Sequence, residues 1–276
     1  MMSQAAAIDL DAYFHRICYR GSRTVSLETL NQIVAAHIRH IPFENLDVLL
    51  SREIRLDPAG LQQKLVHEQR GGYCFEQNGL LLLVLQSLGF HVTPQSARVR
   101  IGSPREFTPP RTHLFLRVHL DDADWLADVG VGGLSPTCAV RITLDLEQAT
   151  PHESRRIIRE EAMFYHQAYF DGQWNDLYEF TLEEMPLIDR IVANWYTSTH
   201  PNSHFKNRLV AARSGPDRTR VTLQNTEFSI RDAAGNANKQ TITSSAELVF
   251  VLAERFGLVL PSGVDTAPLW RAAQGG

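Results

Sequence analysis

Apolar residues recur at helical spacing through the first third of the chain and switch to alternation after it. Leu10, Tyr13, Phe14 and Ile17 fall on one face behind Asp9, a side chain suited to capping a helix start. Ser26 stands in the same relation to a second helix, with Leu27, Leu30, Ile33, Val34, His37 and Ile38 along its buried side. Pro42 ends it, because the residue before a proline avoids helical angles. His37 reads there as a packing histidine. Asp57 and Pro58 open a third helix through Leu61, Leu65 and Val66, and a fourth begins at or near Cys74, runs apolar over residues 80–85 and stops at Gly89.

From His91 onward the pattern turns strand-like, over residues 92–101, 113–120, 125–130, 140–144, 155–160, 161–170 and 173–180. Asp171-Gly172 joins the last two as a hairpin turn. Short strands at even spacing predict a small barrel or curled sheet. A helix is expected over 182–196, strands over 218–230 and 240–244, and a final helix capped by Ser244 and Glu247 and ended by Gly257. The Ala- and Gly-rich C-terminus reads as loose. The fold class is therefore α+β: a helical bundle over 1–90, a barrel-like β domain over 91–190, and an interdomain helix with a small α/β unit over 191–276.

Composition narrows the function classes. The 276 residues are 43% hydrophobic and 21% charged, ordinary for a soluble globular chain, and the formal net charge of -4 argues against a nucleic-acid partner. Cys18, Cys74 and Cys138 are too few and too scattered for a disulfide framework or a zinc site, so no metal and a reducing compartment are expected. No charged-then-apolar leader precedes Asp9 and no apolar run reaches membrane-spanning length; a cytoplasmic protein without a membrane partner is the expectation.

The candidate chemistry begins at Cys74. Gly71 and Gly72 precede it, able to take unusual backbone angles or to let a ligand or strand approach. The thiol then sits at a helix N-terminus, where free N–H groups favour an anion. His113 opens an alternating run in which Leu114, Leu116, Val118 and Leu120 share one face and His113, Phe115, Arg117 and His119 the other. If the hairpin closes around Leu120 and Asp121, His113 lies opposite Asp128; if it closes between Asp121 and Asp122, the two are diagonal but still on one face. A histidine and an aspartate there supply the base, and the group that orients it, for a cysteine nucleophile. Gly130, Val131, Gly132 and Gly133 follow, a stretch where backbone N–H groups can meet a ligand; it lacks the phosphate-loop pattern. The proline-bearing stretch 102–110 is either one wall of an entrance or a plain connector.

The segment from Arg70 to Asn78 (R-G-G-Y-C-F-E-Q-N), Thr112-His113, and the W-L-A-D-V-G run ending at Gly130 together resemble the arylamine N-acetyltransferases. The I-P-F-E-N-L run from Ile41 to Leu46 and the S-T-H-P-N-S-H-F run from Ser198 to Phe205 agree, and the resemblance extends from about Asp9 to about Val210. It implies a papain-like Cys-His-Asp site, with Cys74 as nucleophile, His113 as base and Asp128 as its partner. It implies acetyl-CoA as co-substrate, Thr112, Gly132, Ser203 and Phe205 near it, and Phe43 and Val131 beside the acceptor. Glu44, Asn45, Glu76, Gln77 and Asn78 would hold the surrounding loops. The family usually places phenylalanine where this chain has Val131. The implied activity is acetyl transfer to arylamines, arylhydroxylamines or hydrazines through an acetyl-cysteine, with a homodimer as one assembly. An amide synthase of the same family, a thiol hydrolase of the papain or transglutaminase kind, and a silent binding protein are the competing classes.

Overall fold

Asp9 and Ser26 cap the helices expected of them: their side chains accept from Ala12 N and Thr29 N, opening α1 (Leu10–Arg16) and α2 (Leu27–His40). The computed structural model describes residues 8–215 and 217–275. The chain continues through β1 (Phe43–Glu44), α3 (Leu46–Leu49) and α4 (Pro58–Gln62), which a π-helical turn (Gln63–His67) extends, to α5 (Cys74–Ser87). α5 is buried over residues 74–82, so it forms the axis against which α1 and α2 pack Tyr13, Ile17, Leu30, Ile33 and Val34. His37 is indeed a packing histidine, bonded to Tyr13 Oη (2.8 Å) and Gln77 Oε1 (2.6 Å) and pushed down to about 4 by burial.

Next come β2 (His91–Val99), β3 (His113–Leu120), β4 (Ala123–Ala127), β5 (Val140–Arg141), β6 (Arg155–Glu160), β7 (Met163–Phe170) and β8 (Gln173–Glu184). They form a seven-stranded antiparallel sheet ordered β5-β4-β3-β2-β8-β7-β6. Bridges from Leu144 to Ile157 and from Gln148 to Arg155 bring its two edges together, giving the expected barrel-like shape. Asp171 and Gly172 both take left-handed angles, as the tight hairpin requires.

The expected helix over 182–196 begins later. β8 continues to Glu184, because Glu184 pairs with Gln95 of β2 and Met185 N donates to Pro94 O, and α6 (Leu187–Thr199) starts after Pro186. Then follow α7 (His204–Asn207), β9 (Val210–Ser214), β10 (Arg220–Gln224), β11 (Glu227–Arg231), β12 (Ala237–Thr241), α8 (Ser245–Phe256) and α9 (Ala267–Ala273). The strand expected over 218–230 is thus a hairpin, and that expected over 240–244 lies mostly earlier. Ser244 caps α8, but Glu247 reaches back to Thr243 N (2.8 Å), one residue before the cap. Through Ala273 the C-terminal stretch is not loose: α9 buries Leu269, Ala272 and Ala273 in the core of the second sheet. That sheet runs β1-β9-β10-β11-β12, so its first strand comes from the N-terminal ninety residues. Leu46 and Leu49 belong to the same core.

Candidate active site

Three elements meet at the sulfur of Cys74: the start of α5, the start of β3 and the chain leaving β4. Cys74 is the first residue of α5 and almost fully buried. Neither Gly71 nor Gly72 has a positive φ. They are needed for close approach instead: Gly72 bridges to Phe43, and a Cβ on Gly71 would lie 2.1 Å from the Pro42 carbonyl oxygen.

The β3–β4 hairpin turns between Asp121 and Asp122, both left-handed, with Leu120 paired to Ala123. Of the two registers the sequence allows, this is the diagonal one. His113 Nε2 meets Asp128 Oδ2 at 2.7 Å, with both side chains buried. The other carboxylate oxygen of Asp128 accepts from Asn78 Nδ2 (2.9 Å) and from Gly130 N (2.8 Å). Asn78, one turn along α5 from Cys74, also donates to Leu114 O (2.6 Å) and accepts from Val129 N (3.0 Å). One amide therefore ties both strands to the helix that carries the thiol. On the other side, Cys74 Sγ donates to the Thr112 carbonyl (3.5 Å).

The electrostatics follow from burial and pairing. Burial alone would lower the His113 imidazole, but the Asp128 carboxylate, and after it a hydrogen bond with Cys74, push it up to about 10. Burial would raise Asp128, but His113, Asn78 and the Gly130 N–H hold it below the usual carboxylate range. The site can therefore present a thiol beside a fixed, protonatable imidazole.

A buried ionic cluster braces the approach to α5. Arg70 Nη2 bonds Glu44 (3.0 Å) and Asp47 (3.1 Å), and Lys64 Nζ bonds Asp47 and Glu76 (2.7 Å each). Glu76 Oε2 accepts from Tyr73 N (3.1 Å), while burial pushes its carboxyl up to about 7 against the pull of Lys64. A cavity of about 450 Å³ is lined by Ser96, Pro110, Thr112, Met185, Val192 and Tyr196. Pro110, the last residue of the proline-bearing stretch, lines it.

The sequence profile of a family described as N-acetyltransferase matches residues 26–264. The chain belongs to the arylamine N-acetyltransferase family. It is 40% identical over 258 residues to the Escherichia coli K12 arylamine N-acetyltransferase, covering 94% of this chain and 90% of that one. The Mycobacterium tuberculosis H37Rv arylamine N-acetyltransferase is 42% identical over 256 residues, covering 91% and 90%. The structure of the Mycobacterium marinum arylamine N-acetyltransferase superposes with a TM-score of 0.92 at 35% identity, over 97% of this chain and 99% of that one. The same enzyme in complex with CoA superposes with a TM-score of 0.91. These likenesses make the chain an arylamine N-acetyltransferase enzyme, with the fold of that family.

Against that family frame, the remaining expected residues divide. Phe43 lies in one apolar cluster with Tyr73 and Cys74, and Phe205 packs on it, 6.0 Å from Phe43 and 5.5 Å from Tyr73 between ring centroids. Gly132, left-handed at φ +84, faces Phe43, where a Cβ would stand 3.3 Å from the ring. The Ser203 hydroxyl is already engaged, donating to Thr197 O (2.5 Å) and accepting from Phe205 N (3.3 Å); it positions Phe205. Val131, half-buried, packs against the barrel core. Sequence reasoning missed Tyr178, whose buried ring lies 4.9 Å from that of His113. Its signal was a tyrosine at an inward position of the alternating run over 173–180. Among the described residues no helix is long and apolar enough to cross a membrane.

Proposed function

We propose that this chain transfers the acetyl group of acetyl-CoA to arylamines, arylhydroxylamines or hydrazines by a ping-pong path through an acetyl-Cys74 intermediate. The observation that carries the reading is one buried imidazole, His113, bonded to Asp128 at 2.7 Å and pushed up by both Asp128 and Cys74. The CoA complex of the Mycobacterium marinum relative supports the choice of donor.

In the first half-reaction Cys74 gives its proton to His113 and its sulfur bonds to the thioester carbonyl carbon. The bond to the CoA sulfur breaks, and His113 returns the proton to the leaving thiolate. In the second half the amine nitrogen bonds to the acetyl carbon, His113 takes the amine proton, and the bond to Cys74 sulfur breaks. Asp128 fixes the imidazole and stabilises its charged form throughout. Phe43 and Phe205, with Gly132 leaving room beside them, form the apolar wall against which a flat acceptor rests. Thr112 lines the cavity, and its carbonyl oxygen accepts from Cys74 Sγ.

Intact-protein mass spectrometry tests this. Mixing with acetyl-CoA adds one acetyl group to wild-type protein and none to Cys74→Ser, and a later addition of an arylamine removes it as the acetylated amine. Release as free acetate in the presence of the amine would point to a thiol hydrolase; no adduct at all would remove the intermediate.

A further inference from the structure

A second cavity, of about 370 Å³, lies between α4, α5, the start of β2 and the start of α6. That size is in the range of small-molecule sites. Its floor is apolar, built from Leu61 of α4, Phe75 and Leu82 of α5 and Val92 of β2. Phe75, Gly79 and Leu82 recur at helical spacing, so one side of α5 faces the space. Gly79 lets Leu61 come close there, since a Cβ would stand 3.3 Å from Leu61 Cδ1. Two charged side chains border the floor: Arg190 of α6, and Glu184 at the end of β8. Arg190 Nε is buried without a hydrogen-bond partner. Burial pushes its guanidinium down and Glu184 pulls it up, so the two charges act on each other. No hydrogen bond or ion pair joins them among the described residues.

We propose that this cavity binds a free apolar α-amino acid as its zwitterion, with the carboxylate on Arg190, the ammonium on Glu184 and the side chain on the apolar floor. This goes beyond the catalytic reading and does not rest on it. A guanidinium with an unpaired buried N–H is completed by a carboxylate, whose two oxygens match its fork of donors. A ligand with a carboxylate alone meets Glu184 as a like charge, and a ligand with an ammonium alone meets Arg190. An α-amino acid carries both charges on one carbon, so it meets neither penalty and leaves the site neutral. A flat arylamine offers no such pair. The apolar floor then selects among amino acids by burying a hydrocarbon or aromatic side chain. The bound molecule touches Phe75 of α5 and Arg190 of α6. Those two helices are already joined by Tyr73, whose hydroxyl donates to Asn194 Oδ1 and whose ring meets Phe75 edge-on at 5.8 Å between centroids.

Isothermal titration calorimetry of the full chain with L-phenylalanine and L-leucine reads the outcome. Both bind saturably, and saturating acetyl-CoA displaces neither. 3-Phenylpropionate and 2-phenylethylamine each lack one of the charges and bind more weakly by about tenfold or more. Arg190→Gln removes the preference for L-phenylalanine over 2-phenylethylamine. Leu83→Trp fills the cavity from a half-buried position on α5 and abolishes binding. Cys74→Ser binds as the wild type does, which separates this outcome from that of the acetyl-transfer reading. Arg190 has no hydrogen-bonded partner to lose, so its variant keeps the wild-type melting temperature and decides the matter even where Leu83→Trp fails to fold. No binding of either amino acid, equal binding of 3-phenylpropionate, displacement by acetyl-CoA, or undiminished binding by Arg190→Gln would each overturn the proposal.

Discussion

His113 is buried, charged and paired at once, and its charge depends on one partner. Its ordinary value is about 6.5, so the His113–Asp128 pair contributes its full stabilisation below that pH and loses it as pH climbs through about 10. Replacing Asp128 with Asn removes the attraction and leaves the burial, so the imidazole should titrate below its ordinary value. Turnover should fall by on the order of a thousandfold. Carbon-13 NMR of the labelled histidines and steady-state rates check both; loss under about tenfold would assign the orientation of His113 to another group. Val131 is the second residue-scale test. An aromatic contact is worth roughly 0.5–1.5 kcal/mol beyond its area, up to about tenfold in affinity. Val131→Phe should therefore raise kcat/KM for small arylamines and lower it for bulky ones, measured over acceptors of increasing size. Unchanged values in both groups would place Val131 outside the acceptor wall.

Elements matter here through how closely they approach. The chain leaving β4 lies against the first turn of α5 because Gly130 has no side chain: a Cβ there would stand 2.7 Å from Cys74 Cα and 2.7 Å from Asn78 Nδ2. Gly130 has no positive φ, so an alanine brings crowding without backbone strain. Gly130→Ala should cost about 1–3 kcal/mol by overpacking and should lower the acetylation rate more than tenfold by displacing the thiol from His113. Denaturant unfolding and single-turnover acetylation read the two effects separately. The caps Asp9, Ser26, Asp57 and Ser244 were legible because a cap and its target lie three residues apart. The turn at Asp121 and Asp122 was legible only as a pair of registers, since either keeps His113 and Asp128 on one face.

At the scale of the whole molecule, one carboxylate bridges the barrel and the second sheet. Glu153, just before β6, bonds Arg155 (2.9 Å) and Arg220 (2.6 Å) and lies 3.5 Å from Arg231. Burial would raise its carboxyl, but Arg220 and Arg155 pull it down to about 2. Its contribution is therefore present above the ordinary carboxylate range and lost as pH falls through about 2. Glu153→Gln leaves two buried guanidinium groups without their counter-charge and should cost about 3–5 kcal/mol, with acid sensitivity reduced in the range just above pH 2. Urea unfolding against pH measures it; a loss under about 1 kcal/mol would make the bridge incidental. Asn45 ties the chain after β1 to the stretch entering β9, donating to Phe205 O (2.8 Å) and Arg208 O (2.7 Å) and accepting from Val210 N (2.9 Å).

What the sequence determined by itself is short in range: the helix starts, the alternation that puts His113 and Asp128 on one face, and the thiol of Cys74 at a helix N-terminus. These follow from periods of 3.6 and 2 residues and from capping over three or four positions, all written in consecutive side chains. Only the tertiary structure decided the rest. It selected the diagonal register by packing, turned the Asn78 amide onto Asp128, engaged Ser203 with Thr197, drew Phe43 and Glu44 into a sheet with β9, and left the apolar side of α6 facing outward. Each of those outcomes joins residues distant in sequence or sets one face of an element against another. They are decided by which surfaces meet and which polar groups find partners, quantities that no local pattern of hydrophobic and polar residues contains.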